Sequence, residues 1–233
     1  KLMARKRKWT PVQTEAGTCM EGAEETIYRA LALRHMELPV GDFITDALEK
    51  SVPDSARSLL LSNVKDEENH DLALGYIANA YGVDEKAEKE ALKLRDAWVE
   101  HPDHTIVKAM VAERAVFFVL LPFFRATGDA GMRTVSADIS RDEQVHVATN
   151  SLIVKELGLD MSPSLDKLRK ATINWVMQPL SMTDPFKKLN KKFWLDQSDN
   201  LMYQGKAPEL SFTKAARMPA FFEHSNVNLP QYA

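Results

Sequence analysis

Two Glu-x-x-His pairs constrain this chain more than any other feature. Glu67 and His70 stand in Lys65-Asp66-Glu67-Glu68-Asn69-His70, and Glu143 and His146 in Ser140-Arg141-Asp142-Glu143-Gln144-Val145-His146. Residues three apart on a helix share one face, about one turn from each other. Two such pairs, joined by one inward Glu from each of two further helices, make the donor set of a dinuclear carboxylate site in a four-helix bundle. The pattern therefore asks for two more glutamates.

Glu113 is one of them. It interrupts the nearly apolar stretch 105–126, which reads as a central helix. A carboxylate in such a helix is costly unless it is paired or bound to a metal. The other falls on the helical segment 15–36, where Glu21, Glu24 and Glu25 compete and helical phase does not separate them. With Glu25 the order becomes single Glu, Glu-x-x-His, single Glu, Glu-x-x-His. The intervals are 42, 46 and 30 residues (67 − 25, 113 − 67, 143 − 113), an approximate two-fold repeat. Four carboxylates neutralise two divalent ions, and two imidazoles complete the set. Oxygen-rich donors with one imidazole per metal suit iron or manganese better than a structural zinc. Asp66 reads as solvated or as a partner of a ligand. His35, His101, His104 and His224 lie near helix ends, in a loop or in the C-terminal segment, and read as non-ligands.

The rest of the chain reads as all-α. Ala, Leu, Glu, Lys and Arg, the strong helix formers, dominate long stretches, and no alternating run is long enough to build a sheet. Helices are predicted over 15–36 (ended by Pro39 and Gly41), 42–50, 53–80, 84–100, 105–126, 132–157 and 164–177, with a short one around Phe193 and Trp194. Pro122 should kink its helix or open one turn of it. Gly75 predicts close packing. Residues 1–196 are expected to form one helical domain with a short N-terminal arm, and 197–233 an extended tail. The basic run Lys1, Arg5, Lys6, Arg7 and Lys8 reads as a solvated leader, and no apolar segment follows it as a secretory signal would require. A net charge of −3 gives no sign of a nucleic-acid partner. The longest apolar run, 115–124, is far short of the ~20 residues of a membrane span. A single cysteine, Cys19, fits a reducing cytoplasm.

Several of these motifs together resemble the small, radical-generating subunit of class I ribonucleotide reductase, a ferritin-like dimetal-carboxylate protein. Arg141-Asp142-Glu143-Gln144-Val145-His146 is similar to that family's R-D-E-x-x-H helix. Ala112-Glu113-Arg114-Ala115-Val116-Phe117-Phe118 resembles its third-ligand helix, and Glu24-Glu25-Thr26-Ile27 its first-ligand segment, which favours Glu25. Asp184-Pro185-Phe186, then Phe221-Phe222-Glu223, then Tyr232 resembles its C-terminal pattern.

The resemblance implies a ferritin-like four-helix bundle with extra peripheral helices, and a dinuclear centre (Fe/Fe or Mn/Fe) held by Glu25, Glu67, His70, Glu113, Glu143 and His146. It implies Asp142 hydrogen-bonded toward a metal-bound His, Trp9 and Tyr232 on a radical-transfer path, and Phe117 and Leu121 beside the metals. It further implies a cytoplasmic homodimer whose tail docks a catalytic large subunit that reduces ribonucleotides. Two departures stand out. Leu74 occupies the family's usual tyrosine position, with Tyr28 and Tyr76 nearby as substitutes, so the oxidant is expected on the metals or on an unusual Tyr. The interval from Trp9 to Glu25 is also short for the family. A stand-alone dimetal oxygenase acting on a long apolar substrate is the competing expectation.

Overall fold

The computed structural model describes residues 1–213 apart from 14–16, 51, 181–183 and 185. The helices are α1 (Glu24–Ala32), α2 (Glu37–Lys50), α3 (Asp54–Tyr81), α4 (Glu85–Glu100), α5 (Thr105–Ala112), α6 (Phe118–Thr127), α7 (Ala130–Glu156), α8 (Pro163–Met177) and α9 (Lys191–Asp199). Their starts follow local chemistry. Asp84, Asp129, Ser162 and Asn190 each accept a backbone N–H three residues on, capping α4, α7, α8 and α9. Gly82 and Gly158, just past α3 and α7, take positive φ (86° and 62°), which glycine adopts without a Cβ penalty.

The architecture is the expected ferritin-like bundle. α2 packs on α3, α3 on α7, α7 on α5 and α6, and α5 back on α2, closing a ring of four helical columns. α1, α4, α8 and α9 lie outside that ring, and α1 touches α3, α4 and α8. No described helix is long and apolar enough to cross a membrane.

α5 and α6 form one column with a π-helical turn, Glu113–Phe117, between them. Such a turn takes up one extra residue and frees a carbonyl. Ser198 donates to the Ala115 carbonyl at 2.6 Å, and Arg114 Nε to the Leu201 carbonyl at 2.8 Å, so α9 and the turn after it brace the irregularity. Pro122 sits in the helix beyond. The carbonyl its ring would strike belongs to Phe118, whose ψ of −4° tips it away. This is the opened turn that Pro122 predicts, placed just ahead of it.

Four expectations are corrected. The first helix begins at Glu24, not near residue 15, and the chain passes through a 3₁₀ turn, Leu33–Met36, directly into α2. Pro39 and Gly41 therefore do not end a helix. Pro39 lies in the first turn of α2, where a proline is tolerated. A Cβ on Gly75 would meet nothing within 4 Å, so no close packing occurs there. Residues 197–213 are not extended. They finish α9 and form a second π turn, Asn200–Gln204, and a 3₁₀ turn, Pro208–Ser211. Gln197, Ser198, Leu210 and Thr213 are buried against the body.

Candidate metal centre

The middle of the ring holds a cluster of buried acids and imidazoles. Glu67 and His70 project from α3 and Glu143 and His146 from α7. Glu113 projects from the first residue of the π turn and Glu37 from the first residue of α2. All six are at most 1% exposed. Two overlapping groups, Glu37–Glu67–His70–Glu143 and Glu67–Glu113–His146, each bring one donor atom per residue within 4.8 Å of the others.

Glu67 and Glu143 lie between the two imidazoles. His146 Nδ1 is 3.0 Å from Glu67 Oε1 and 3.7 Å from Glu143 Oε1. His70 Nδ1 is 3.4 Å from Glu67 Oε2 and 3.3 Å from Glu143 Oε1. Glu37 and Glu113 flank the cluster, 3.7 Å from His70 and 3.6 Å from His146. Asn150, one turn after His146 on α7, donates to Glu113 Oε2 at 2.6 Å and fixes its carboxylate.

Five of the six sequence-predicted donors thus converge. Glu25 does not. Its side chain is 65% exposed and pairs with Arg29 four residues on. Glu21 and Glu24 are exposed as well. Glu37 stands in its place, because α1 lies outside the ring and α2 inside it. The intervals become 30, 46 and 30 residues (67 − 37, 113 − 67, 143 − 113), so the two halves repeat with equal spacing. The interval from Trp9 lengthens from 16 residues to 28.

Donor chemistry and geometry together fit a pair of cations. Both Glu67 oxygens, both Glu143 oxygens, Glu37 Oε2, Glu113 Oε1 and the Nδ1 atoms of both histidines are buried without a hydrogen-bond partner. Buried polar atoms are rarely left so. Without a cation the cluster must hold protons instead. Burial pushes Glu37 well above the ordinary carboxylate range and Glu113 up to about 8. Burial also works against both imidazolium ions, but the surrounding carboxylates outweigh it, raising His146 to about 10 and His70 well above its ordinary value.

Around the cluster the repeat continues. Asp142 precedes Glu143 as Asp66 precedes Glu67, and each aspartate faces the histidine of the opposite helix. His70 Nε2 lies 3.4 Å from Asp142 Oδ2, and His146 Nε2 lies 2.9 Å from Asp66 Oδ2. Trp9 joins the first of these lines. Its Nε1–H donates to Asp142 Oδ2 at 2.6 Å, and its ring stacks toward His70 with centroids 6.3 Å apart. Burial pushes Asp142 up, but hydrogen bonds from His70 and Trp9 hold it below the ordinary carboxylate range.

The solvated-leader reading fails for Lys6 and Arg7. Lys6 pairs with Asp66, and Arg7 donates to Asp138 at 2.8 Å. Lys6 and Asn150 escaped sequence reading, whereas the repeated Asp-Glu-x-x-His spacing could have singled out Asp66. His35 pairs with Glu88, His101 faces Ser164, and His104 caps α5, all outside the cluster. Phe117 and Leu121 are buried in the core, as is Leu74. Tyr232 and His224 lie outside the described residues.

The fold and the cluster define an all-α, ferritin-like bundle whose buried Glu and His residues could hold metal. No family model matches the sequence, and no curated protein matches it. Among solved structures, the chain is similar to one described as a "putative class I ribonucleotide reductase" from Bacillus halodurans. The two share 15% identity, the match covers 96% of this chain and 92% of that one, and the TM-score is 0.54.

Proposed function

We propose that this chain is the radical-generating small subunit of a class I ribonucleotide reductase, cytoplasmic and homodimeric, acting with a separate catalytic large subunit. The observation that carries this reading is the line Trp9–Asp142–His70, which runs from the buried cluster to the N-terminal arm. A hydrolase or a storage protein has no use for an indole hydrogen-bonded through one carboxylate to a cluster histidine.

Two ions would be held, one by Glu37, Glu67, His70 and Glu143 and the other by Glu67, Glu113 and His146, Glu67 being common to the two groups. When bound, an iron or manganese–iron pair supplies one-electron oxidising power drawn from oxygen. The chain positions, insulates and connects. His70 keeps its Nε2 proton on Asp142, which leaves Nδ1 facing the cluster. Asp142 stays ionised and accepts from Trp9, giving a short path between an aromatic ring and the centre. Phe117 and Leu121 keep water out. Leu74 offers no phenol, and the Tyr28 hydroxyl is directed at the Tyr81 carbonyl 3.4 Å away. These two positions favour an oxidant that would be held by the metal pair over one on Tyr28. Docking of the large subunit would fall to the C-terminal tail, which includes Tyr232.

The test is reconstitution with iron, with manganese and with both under oxygen, followed by electron paramagnetic resonance and turnover with a large subunit. Trp9→Phe should keep metal uptake and the oxidised signal and lose partner-dependent turnover at least a hundredfold. Full turnover in Trp9→Phe would refute the path. A groove of about 560 Å³ between α6, α7 and the segment after α9, lined by Phe118, Pro122, Leu201 and Leu210, favours a second reading, an oxygenase of apolar substrates. A fatty acid co-purifying in that groove, with no oxidised state stable without substrate, would select it.

A further inference from the structure

The N-terminal arm crosses the bundle where α3 meets α7, and its contacts alternate between them. Lys6 Nζ pairs with Asp66 and donates to Asn63 Oδ1 at 3.0 Å, both on α3. Arg7 donates to Asp138 and Trp9 to Asp142, both on α7. Asn69 of α3 donates to the Trp9 carbonyl at 3.1 Å. Two arm residues three apart thus each hold the aspartate of one Asp-Glu-x-x-His motif. The two sides are not equally sheltered. The Asp142 side chain is 2% exposed and that of Asp66 is 15% exposed. Water competes for the oxygens of Asp66 in a way it does not for Asp142.

We propose that Lys6 is a positioning residue for one half of the centre: acting through Asp66, it keeps the Nε2–H of His146 on that carboxylate, so that Nδ1 is the nitrogen left to meet an ion when one binds. The proposal rests on the metal-centre reading above. An imidazole can present a lone pair to a cation only if its other nitrogen keeps the hydrogen and has an acceptor for it. Asp66 is that acceptor at 2.9 Å, and His146 Nδ1 has no hydrogen-bond partner among the described residues. Lys6 pairs with the same oxygen, Asp66 Oδ2, that faces His146, and its own side chain is only 9% exposed. Without the ammonium, Asp66 is free to turn toward solvent and His146 loses the bond that sets its tautomer. The other half of the cluster is served by Asp142 and Trp9, so removing Lys6 should be felt at one metal position only.

Cobalt(II) titration of the full chain, followed by visible absorption and calorimetry, tests this. The wild-type protein should bind two ions. Lys6→Met should weaken one position by about tenfold, the scale of outer-ligand losses, alter the absorption of that ion and leave the other unchanged. Lys6→Arg should restore both. Asp66→Asn should weaken the same position, and the double variant should lose little more than either single one. Nitrogen-15 spectra of the zinc-loaded protein should show the His146 Nε2–H resonance broadened in Lys6→Met. Wild-type behaviour of Lys6→Met at both positions, or equal weakening of both, overturns the proposal while leaving the metal centre standing. A wild-type protein that binds no ion removes the centre itself, and this inference with it.

Discussion

Metal uptake by this protein should release about four protons per two ions. Glu37, Glu67 and Glu143 offer oxygens within 4.8 Å of one another. Two like charges at that distance repel by about 3.5 kcal/mol at an effective dielectric of 20. Three such pairs approach about 10 kcal/mol, comparable with the whole stability of a typical domain. The metal-free cluster therefore carries protons. At pH 7 both imidazoles are charged, since His146 titrates at about 10 and His70 well above its ordinary value. Glu113, raised to about 8, keeps its proton at pH 7, and burial pushes Glu37 in the same direction. Two imidazolium ions and two carboxylic acids make four protons, all displaced when divalent ions take the same donors. Calorimetric titration in buffers of different ionisation enthalpy reads this number directly. Glu37→Gln should lower it to about three. A release of two or fewer in the wild-type protein would refute the argument that burial and crowding keep the acids protonated.

Further outcomes can be checked with simpler assays. Glu25→Gln should leave metal stoichiometry unchanged and shift stability by less than about 0.5 kcal/mol, because Glu25 is exposed and its ion pair among the described residues is an i,i+4 one with Arg29; loss of a metal would return Glu25 to the centre. The metal-free protein should lose stability between pH 6.5 and 8.5. His146 contributes fully below its unfolded value near 6.5, and this is lost as pH rises through about 10; Glu113, raised to about 8, slopes the same way below that pH, while Glu67, held below its range, is ionised in both states and adds no slope. Melting temperature against pH, with and without metal, should show this decline in the metal-free protein alone, and a flat metal-free curve contradicts it. Ser198→Ala should cost about 1–3 kcal/mol in denaturant melts, since it strips partners from the Ala115 carbonyl and from fully buried Arg169; a neutral result would mean that α9 does not brace the π turn.

Much of the centre was legible because the Glu-x-x-His spacing is short-range and survives any error in helix ends. Glu113 was legible because an acid in an apolar helix is too costly to keep unless a cation or a partner meets it there. Glu37 was not, and the reason is local. Pro39 and Gly41 two and four residues later read as a stop, whereas a proline is equally at home in a first turn, and only the path of α2 past α3 decides between them. A Cβ on Gly41 would come within 3.6 Å of the Glu67 side chain, a closeness that no property of residues 37–41 announces. The equal 30-residue spacing was available as arithmetic but was hidden by the choice of Glu25. Lys6 and Arg7 were misread because charge runs are usually solvated, and their partners Asp66 and Asp138 lie 60 and 131 residues away. Residues 197–213 lack a long periodic pattern. They are held by single side chains such as Ser198 and Thr213, which sequence periodicity does not register.

The π turn at Glu113–Phe117 makes the length of this column a fixed quantity in a way that loop lengths are not. Each residue of an α-helix advances the chain by about 100°. Deleting one residue between Glu113 and Phe118 would not merely shorten the helix. It would swing Leu120, Phe123 and Phe124, now packed in the core, through more than a quarter of a turn, while Glu113 stayed where it is. An insertion there would do the reverse. The column therefore behaves like a keyed shaft: its acid end and its aromatic end are set at one angle to each other, and a single residue gained or lost between them changes the angle rather than the distance.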